Sequence, residues 1–226
     1  MSTRHPVTGT AAPADSTPAR RGRGRPKGAA GAGETRERIV AAAADLFAER
    51  GFHATPMTGI AVASGLSQTG LLHHFASKED LLAAVLEQRD TRDVEALSAR
   101  RAVPARGWEV YDDMVELVRL NAEREALVRL FTNLAGEAVD RTHPGHDWLR
   151  RHHAVAVDSL TRGLTEAVAD GTADPEVPAW TIARQFVALM DGLQLQWLMA
   201  PEEVDMAADV AAHLATVRDR WATTAG

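Results

Sequence analysis

Cysteine is missing from this chain altogether, which excludes disulfides, thiolate zinc sites and cysteine nucleophiles together. No apolar run approaches the roughly 20 residues that a membrane-crossing helix needs. The first residues hold no hydrophobic segment of the secretory kind, so the sequence predicts a cytoplasmic protein with no membrane contact. Strand-like alternation is absent as well, and every periodic segment reads at helical spacing. Also missing are a phosphate-cradling glycine loop, a GxSxG elbow and an HExxH pair, while the acidic residues are scattered as on helix surfaces. These absences predict a chain that is not an enzyme and uses no cofactor.

What is present is enough to bury a real core: 226 residues, 45% hydrophobic and 25% charged, a length that suits one or two domains. The net charge of −6 is unevenly divided. Residues 1–33 carry six basic side chains against Asp15 alone, which leaves the remainder more acidic than the total suggests. A locally basic segment can bind DNA whatever the overall charge, because counterion release depends on the contacts made. The same residues are rich in Pro, Gly, Ala, Ser and Thr without apolar periodicity, so they read as a disordered basic arm. Within the arm, Arg23-Gly24-Arg25-Pro26-Lys27 resembles the core of an AT-hook. Extended arginines suit the negative potential of a narrow minor groove, and Arg23 and Arg25 are the expected contacts; the plainer alternative is a solubilising tail.

The stretch from Thr55 to Lys78 carries the clearest signal. Thr55 reads as an N-cap and Pro56 as the first residue of a helix running to about Ala63, with Met57, Ile60 and Ala61 facing inward. Gly65 permits a tight exit, and Ser67 caps a second helix whose exposed first turn is Gln68, Thr69 and Gly70. Leu71 and Phe75, four apart, anchor that helix. This is a helix-turn-helix, and a helix of this polarity reads base edges with its N-terminal residues. A preceding helix is expected from Glu34 to Arg50, ended by Gly51, and a following one from Ser77 to about Ser98.

The run from Thr35 to Leu86, with TRERIVAAAADLFAERGF, TPMTGIAVASGLS and HHFASKEDLL, resembles the DNA-binding domain of TetR-family transcriptional regulators. The likeness covers about fifty residues with several fixed spacings matched at once. It implies DNA contacts from Thr58, Ser67, Gln68, Thr69, Gly70, His73 and His74, and a phosphate contact from Lys78. Leu72 departs from the family, which usually places a phosphate-reaching tyrosine there.

Beyond Pro104 and Gly107 the chain shows only helical patterns. Tyr111, Met114, Val115 and Val118 share one face; Leu127, Leu130, Phe131 and Leu134 share another. Further helices are expected at Asp147 to Asp170, Ala179 to Met199, and Pro201 to about Trp221. The fold class is therefore all-α, about nine helices: a three-helix head (34–80) joined by a long helix to a helical effector-binding and dimerisation domain (81–226). The resemblance implies a homodimer through the last two helices, for which Leu189, Leu193, Trp197, Leu214 and Val217 are the expected interface. It also implies a small-molecule pocket, for which Trp108, Tyr111, Met114, Phe131, Asn133, Trp148, Gln185 and Gln194 are the candidate lining; plain core packing explains the same residues. His143, His146, His152 and His153 crowd one stretch, but His152 and His153 point apart on a helix, so no metal site is predicted. The functional expectation is a repressor that binds a near-palindromic double-stranded operator and is released by a small-molecule effector. The competing one is an architectural DNA-binding protein without an effector.

Overall fold

The helix expected from Glu34 is already formed at Ala29, the first described residue, and Thr35 Oγ1 donates to Gly31 O at 2.8 Å within this extra stretch. The computed structural model describes residues 29–223, and Arg23, Arg25 and the rest of the arm lie outside them. Among the described residues the elements are α1 (Ala29–Ala54), α2 (Met57–Ala63), α3 (Gln68–Leu72), α4 (Lys78–Ser98), α5 (Glu109–Ala122), α6 (Glu125–Glu137), α7 (His146–Ala169), α8 (Ala179–Met199) and α9 (Met206–Trp221). The expected all-α architecture is the observed one.

Gly51 interrupts α1 with φ 77° and ψ 167°. A side chain is strained at that φ, so the kink favours glycine; a Cβ there would also displace the Glu137 carboxylate of α6. Thr55 is not the cap of α2. It is fully buried, and its hydroxyl donates back to Gly51 O at 2.8 Å, which ties off the kinked end of α1; Pro56 takes the cap position with no side-chain bond. The turn between α2 and α3 follows the expected chemistry: Leu66 N donates to Ala61 O at 2.8 Å and Gly65 N to Val62 O at 3.0 Å, with Gly65 at φ 71°, a Schellman closure. Ser67 caps α3 by accepting from Gly70 N at 3.1 Å, and Ser77 caps α4 by accepting from Asp80 N at 3.0 Å. The last helix does not start at Pro201, which sits in a turn. Asp205 caps it by accepting from Ala208 N at 3.0 Å.

Two cores result. One gathers Ile39, Phe47, Ile60, Leu71, Phe75 and Leu82 of the head together with Leu130, Phe131 and Leu134 of α6. The other joins α5, α7, α8 and α9 around Tyr111, Leu164, Phe186 and Val210. The head is therefore not attached through α4 alone: α1 packs along α6, Asn133 Nδ2 donates to Ala48 O at 2.8 Å, and Phe52 N donates to Glu137 Oε2 at 3.2 Å. At the far end Asp174 N donates to Trp221 O at 2.8 Å and Thr223 N to Thr172 O at 3.1 Å, which fastens the end of α9 to the loop after α7.

Candidate functional site

The short helix α3 is held from below and free above. Leu71 and Phe75 are buried in the head core, and Arg38 Nε of α1 donates to Ser64 O at 3.1 Å, bracing the turn that aims α3. Ser67, Gln68, Thr69, Leu72 and His73 are exposed, as is Thr58 on α2, while Gly70 and His74 are half-buried. This is one polar face made of hydrogen-bonding side chains at the N-terminal end of a helix, the geometry that reads base edges in a major groove. Leu72, 44% exposed, puts an apolar side chain on it. Sequence reasoning missed Arg36, whose guanidinium lies 4.9 Å from the Phe75 ring centroid and sets a cation beside the end of the recognition helix. Its position one turn before Ile39 in α1 was the available signal.

Lys78 is corrected. Its ammonium donates to Phe52 O at 2.8 Å, Thr55 O at 3.1 Å and His53 O at 3.3 Å and lies 4.5 Å from the Phe52 ring centroid. All three protons have acceptors, so the side chain closes the carbonyl end of α1 instead of reaching a phosphate.

The histidine cluster separates. His143 is buried at the junction of head and body, with His53 and Glu137; one ligating atom of each lies within 4.8 Å of the others. However, His143 Nδ1 accepts from Gly145 N at 3.0 Å, so the neutral ring carries its proton on Nε2, 3.4 Å from Glu137 Oε2. A metal would need a lone pair at that nitrogen, which this tautomer does not offer; Nε2 itself is buried without a hydrogen-bond partner. Burial lowers the His143 pKa, opposed by the Glu137 charge and reinforced by His53. His146 turns away to pair its Nδ1 with Ala138 O at 2.8 Å.

His152 and His153 belong instead to a cavity of about 520 Å³ in the body, walled by α4, α5, α6, α7 and α8. Phe131, Met114, Trp148 and Gln194 line it, four of the eight residues expected to do so. The other four are placed elsewhere. Tyr111 is packed in the second core, where burial raises its pKa, and Trp108 Nε1 donates to Thr172 O at 3.0 Å. Asn133 serves the α1–α6 junction, and Gln185 is exposed. The cavity also holds residues that sequence reasoning passed over: Arg89, Asp93, Asn121 and Asp191. Arg89 and Asp93 continue the buried stripe of Leu82, Val85 and Leu86 at helical spacing, and charged residues on an apolar stripe were the legible sign. Burial lowers the Arg89 pKa against the pull of Asp93, Asp90 and Asp191, and it raises that of Asp93 against Arg89 and Arg124. His152 stacks on Trp148 with ring centroids 4.9 Å apart, and Trp148 Nε1 donates to Asp90 Oδ2 at 3.1 Å.

Within the subunit the five residues expected at a dimer interface divide by burial, Leu189 being only half-buried. Leu193, Trp197, Leu214 and Val217 are buried inside the subunit, and Leu189 packs against the same core. The apolar side chains that α8 leaves exposed are Trp180 (55%), Leu195 (50%) and Met199 (70%).

A braced helix-turn-helix with a polar reading face, carried on a helical body with a partly open cavity, defines a DNA-binding regulator. Comparison with known proteins agrees. Residues 39–85 match the family model described as bacterial regulatory proteins, tetR family. The HTH-type transcriptional regulator UidR of Escherichia coli (strain K12) is 30% identical over 160 residues, covering 70% of this chain and 79% of UidR. A TetR transcriptional regulator from Chloroflexus aurantiacus superposes with a TM-score of 0.72 at 27% identity, over 87% of this chain and 100% of that one. The SmeT–triclosan complex superposes with a TM-score of 0.72 at 23% identity, over 84% and 92%. The chain belongs to the TetR family of transcriptional regulators.

Proposed function

We propose that this protein is a cytoplasmic, homodimeric repressor that occupies a near-palindromic operator and leaves it when a small molecule fills the cavity between α4 and α8. The observation that carries this reading is the double use of α4. The helix starts at Lys78, with five residues between it and the end of the recognition helix, and its later turns supply Arg89, Asp93 and Leu97 to the cavity wall. A ligand that changes the packing of α4 acts on the element that positions the head, and it shifts operator affinity by its unequal affinity for the two arrangements. Dimerisation through α8 and α9 is supported by the exposed Trp180, Leu195 and Met199 and by the exposed small residues Ala208, Ala211, Ala212 and Ala215 of α9. Two recognition helices then enter successive major grooves about 34 to 36 Å apart. Gln68 and Thr69 read bases, Thr58, Ser67, Gly70, His73 and His74 complete the contact face, and Arg23 and Arg25 follow the adjacent minor groove.

The test is selection from a random duplex library, followed by a thermal-shift screen of small molecules and titration of each hit against the selected site. Two-fold symmetric sites bound by a dimer, and at least one hit that lowers operator affinity, are the expected result. Asymmetric or unselective DNA binding, with no stabilising molecule, would leave the architectural reading in its place.

A further inference from the structure

We propose that the cavity takes a neutral, mainly apolar molecule carrying a hydroxyl group, which accepts a hydrogen bond from Arg89 and donates one to Asn121. This rests on the effector-pocket reading above and names the chemical class that the pocket selects.

Arg89 is buried, and its guanidinium lies 4.6 Å from the Phe131 ring centroid and 5.9 Å from that of Trp148. It has five N–H donors, but its nearest acceptors are distant: Asp90 Oδ1 and His152 Nε2 each at 3.4 Å from Nη1, and Asp93 Oδ2 at 3.8 Å from Nη2. Nε has no acceptor at all. Asn121 is buried on α5, and its Oδ1 also has no partner. Both residues line the same cavity. Leaving such groups unpaired in an apolar surround is costly, so a ligand that completes them is favoured over one that only fills space.

The carboxylates around Arg89 decide the ligand's charge. Asp93 is held by Arg124 at 3.3 Å, Asp90 accepts from Trp148 Nε1 at 3.1 Å, and Asp191 stands 3.0 Å from His153 Nε2. Asp93 and Asp90 are therefore partnered already, while His153 Nε2 makes no hydrogen bond to Asp191, so a cationic ligand would meet Arg89 and gain at most the Asp191 carboxylate. An anionic ligand would be brought up to Arg89 among three carboxylates. A hydroxyl carries the smaller penalty and is donor and acceptor at once, which suits the unpaired Arg89 Nε and Asn121 Oδ1; His153 Nε2, on the same wall, is unpaired as well. The remaining wall of Leu97, Met114, Leu117, Val187 and Met190 calls for an apolar body.

The full-length protein tests this with three probes of equal shape: biphenyl, para-hydroxybiphenyl and biphenyl para-carboxylate. Their dissociation constants are read by isothermal titration and by quenching of Trp148 fluorescence. The hydroxylated probe is expected to bind at least about tenfold tighter than either of the others, because a site with unpaired polar groups rejects an analogue that cannot pair them. Asn121→Leu and Arg89→Met are each expected to cut that preference to less than about threefold while leaving biphenyl affinity nearly unchanged. If Arg89→Met fails to fold by circular dichroism, Asn121→Leu alone decides. Equal binding of biphenyl, preference for the carboxylate, or a full preference retained in Asn121→Leu overturns the hydroxyl assignment and leaves the pocket reading standing. Absence of binding by all three probes overturns the pocket reading itself.

Discussion

In the head, the side chains proposed to meet DNA stand on one five-residue helix and its flanks, adjacent in sequence and mostly exposed. In the body, the ligand cavity is assembled from five helices, and its decisive polar groups, Arg89, Asn121 and Gln194, are buried. The exposed face is supported by a core that does not use its reading residues, so recognition there is separable from folding. The cavity has no such separation: its lining is also core, and a change in what it binds is a change in how the body packs. A family built this way can alter operator preference by surface substitution, whereas alteration of effector preference moves stability as well.

The comparison is broken most directly by truncating the body core. Phe186→Ala, at a fully buried position packed edge-on to Tyr111 with centroids 5.0 Å apart, is expected to cost about 3 to 5 kcal/mol in urea unfolding. Trp197→Asp, in the same core, is expected to unfold the body. A folded monomer in sedimentation and circular dichroism would instead return Trp197 to a subunit interface.

A smaller effect sharpens the boundary at Lys78, which lies in the head next to the reading face but is bonded like a core residue. Lys78→Ala is expected to destabilise the protein by roughly 1.5 to 3 kcal/mol, the usual range for hydrogen bonds to a charged group, and to leave the salt dependence of DNA binding unchanged. A salt slope reduced by about one unit per protomer, with stability intact, would mark a phosphate contact instead.

Gln68→Ala makes the opposite separation. Thermal stability is expected to stay within about 0.5 kcal/mol, as for an exposed position. Preference at one base pair of each half-site is expected to fall by roughly 1 to 3 kcal/mol for a bidentate contact. Unchanged base preference would mean that the recognition helix docks in another register.

The smallest effect concerns pH. Burial holds the His143 pKa below its value in the unfolded chain, so the unfolded state binds more protons between the two values. The contribution of neutral His143 is fully present above about pH 6.5 and is lost as pH falls below it, levelling off at the folded pKa. His143→Gln is expected to flatten that part of the stability profile, measured by urea unfolding across the acid range. A stability slope identical in wild type and variant would assign the dependence to other groups.

Helix boundaries set by local chemistry were legible in advance: Ser67, Ser77 and Gly65 act as read, and α8 has the expected limits. Thr55 was not, because its competing acceptors at Gly51 and Leu46 are created by a kink that the sequence marks only with a glycine. The exposed polar face of α3 was legible because its residues are contiguous. Half of the cavity was missed because aromatic content cannot distinguish Tyr111, enclosed by α8 and α9, from Trp148, which borders empty space. The expected dimer residues were less legible for a related reason: an apolar helix with several greasy faces does not say which face its own subunit covers. Exposure in the folded chain divides Leu193 from Leu195, two positions along the same helix.

Phe52 has a mechanical consequence. Lys78 grips its carbonyl and ring, Glu137 accepts from its amide, and the His143 ring meets it edge-on with centroids 5.2 Å apart. The start of α4 and the kinked end of α1 thus converge with the body on one side chain, which lies on the longer seam where α1 packs along α6, and a head that turned on that seam would swing about it. Rotation about it moves nearby atoms little and the recognition helix most, in proportion to its distance from the joint. In the proposed dimer two such arms swing from one frame, and a modest angular change accumulates into a mismatch against DNA whose base pairs repeat every 3.4 Å or so. The geometry of this joint, more than the strength of any contact at the helix tip, then sets which spacing of half-sites the protein can span.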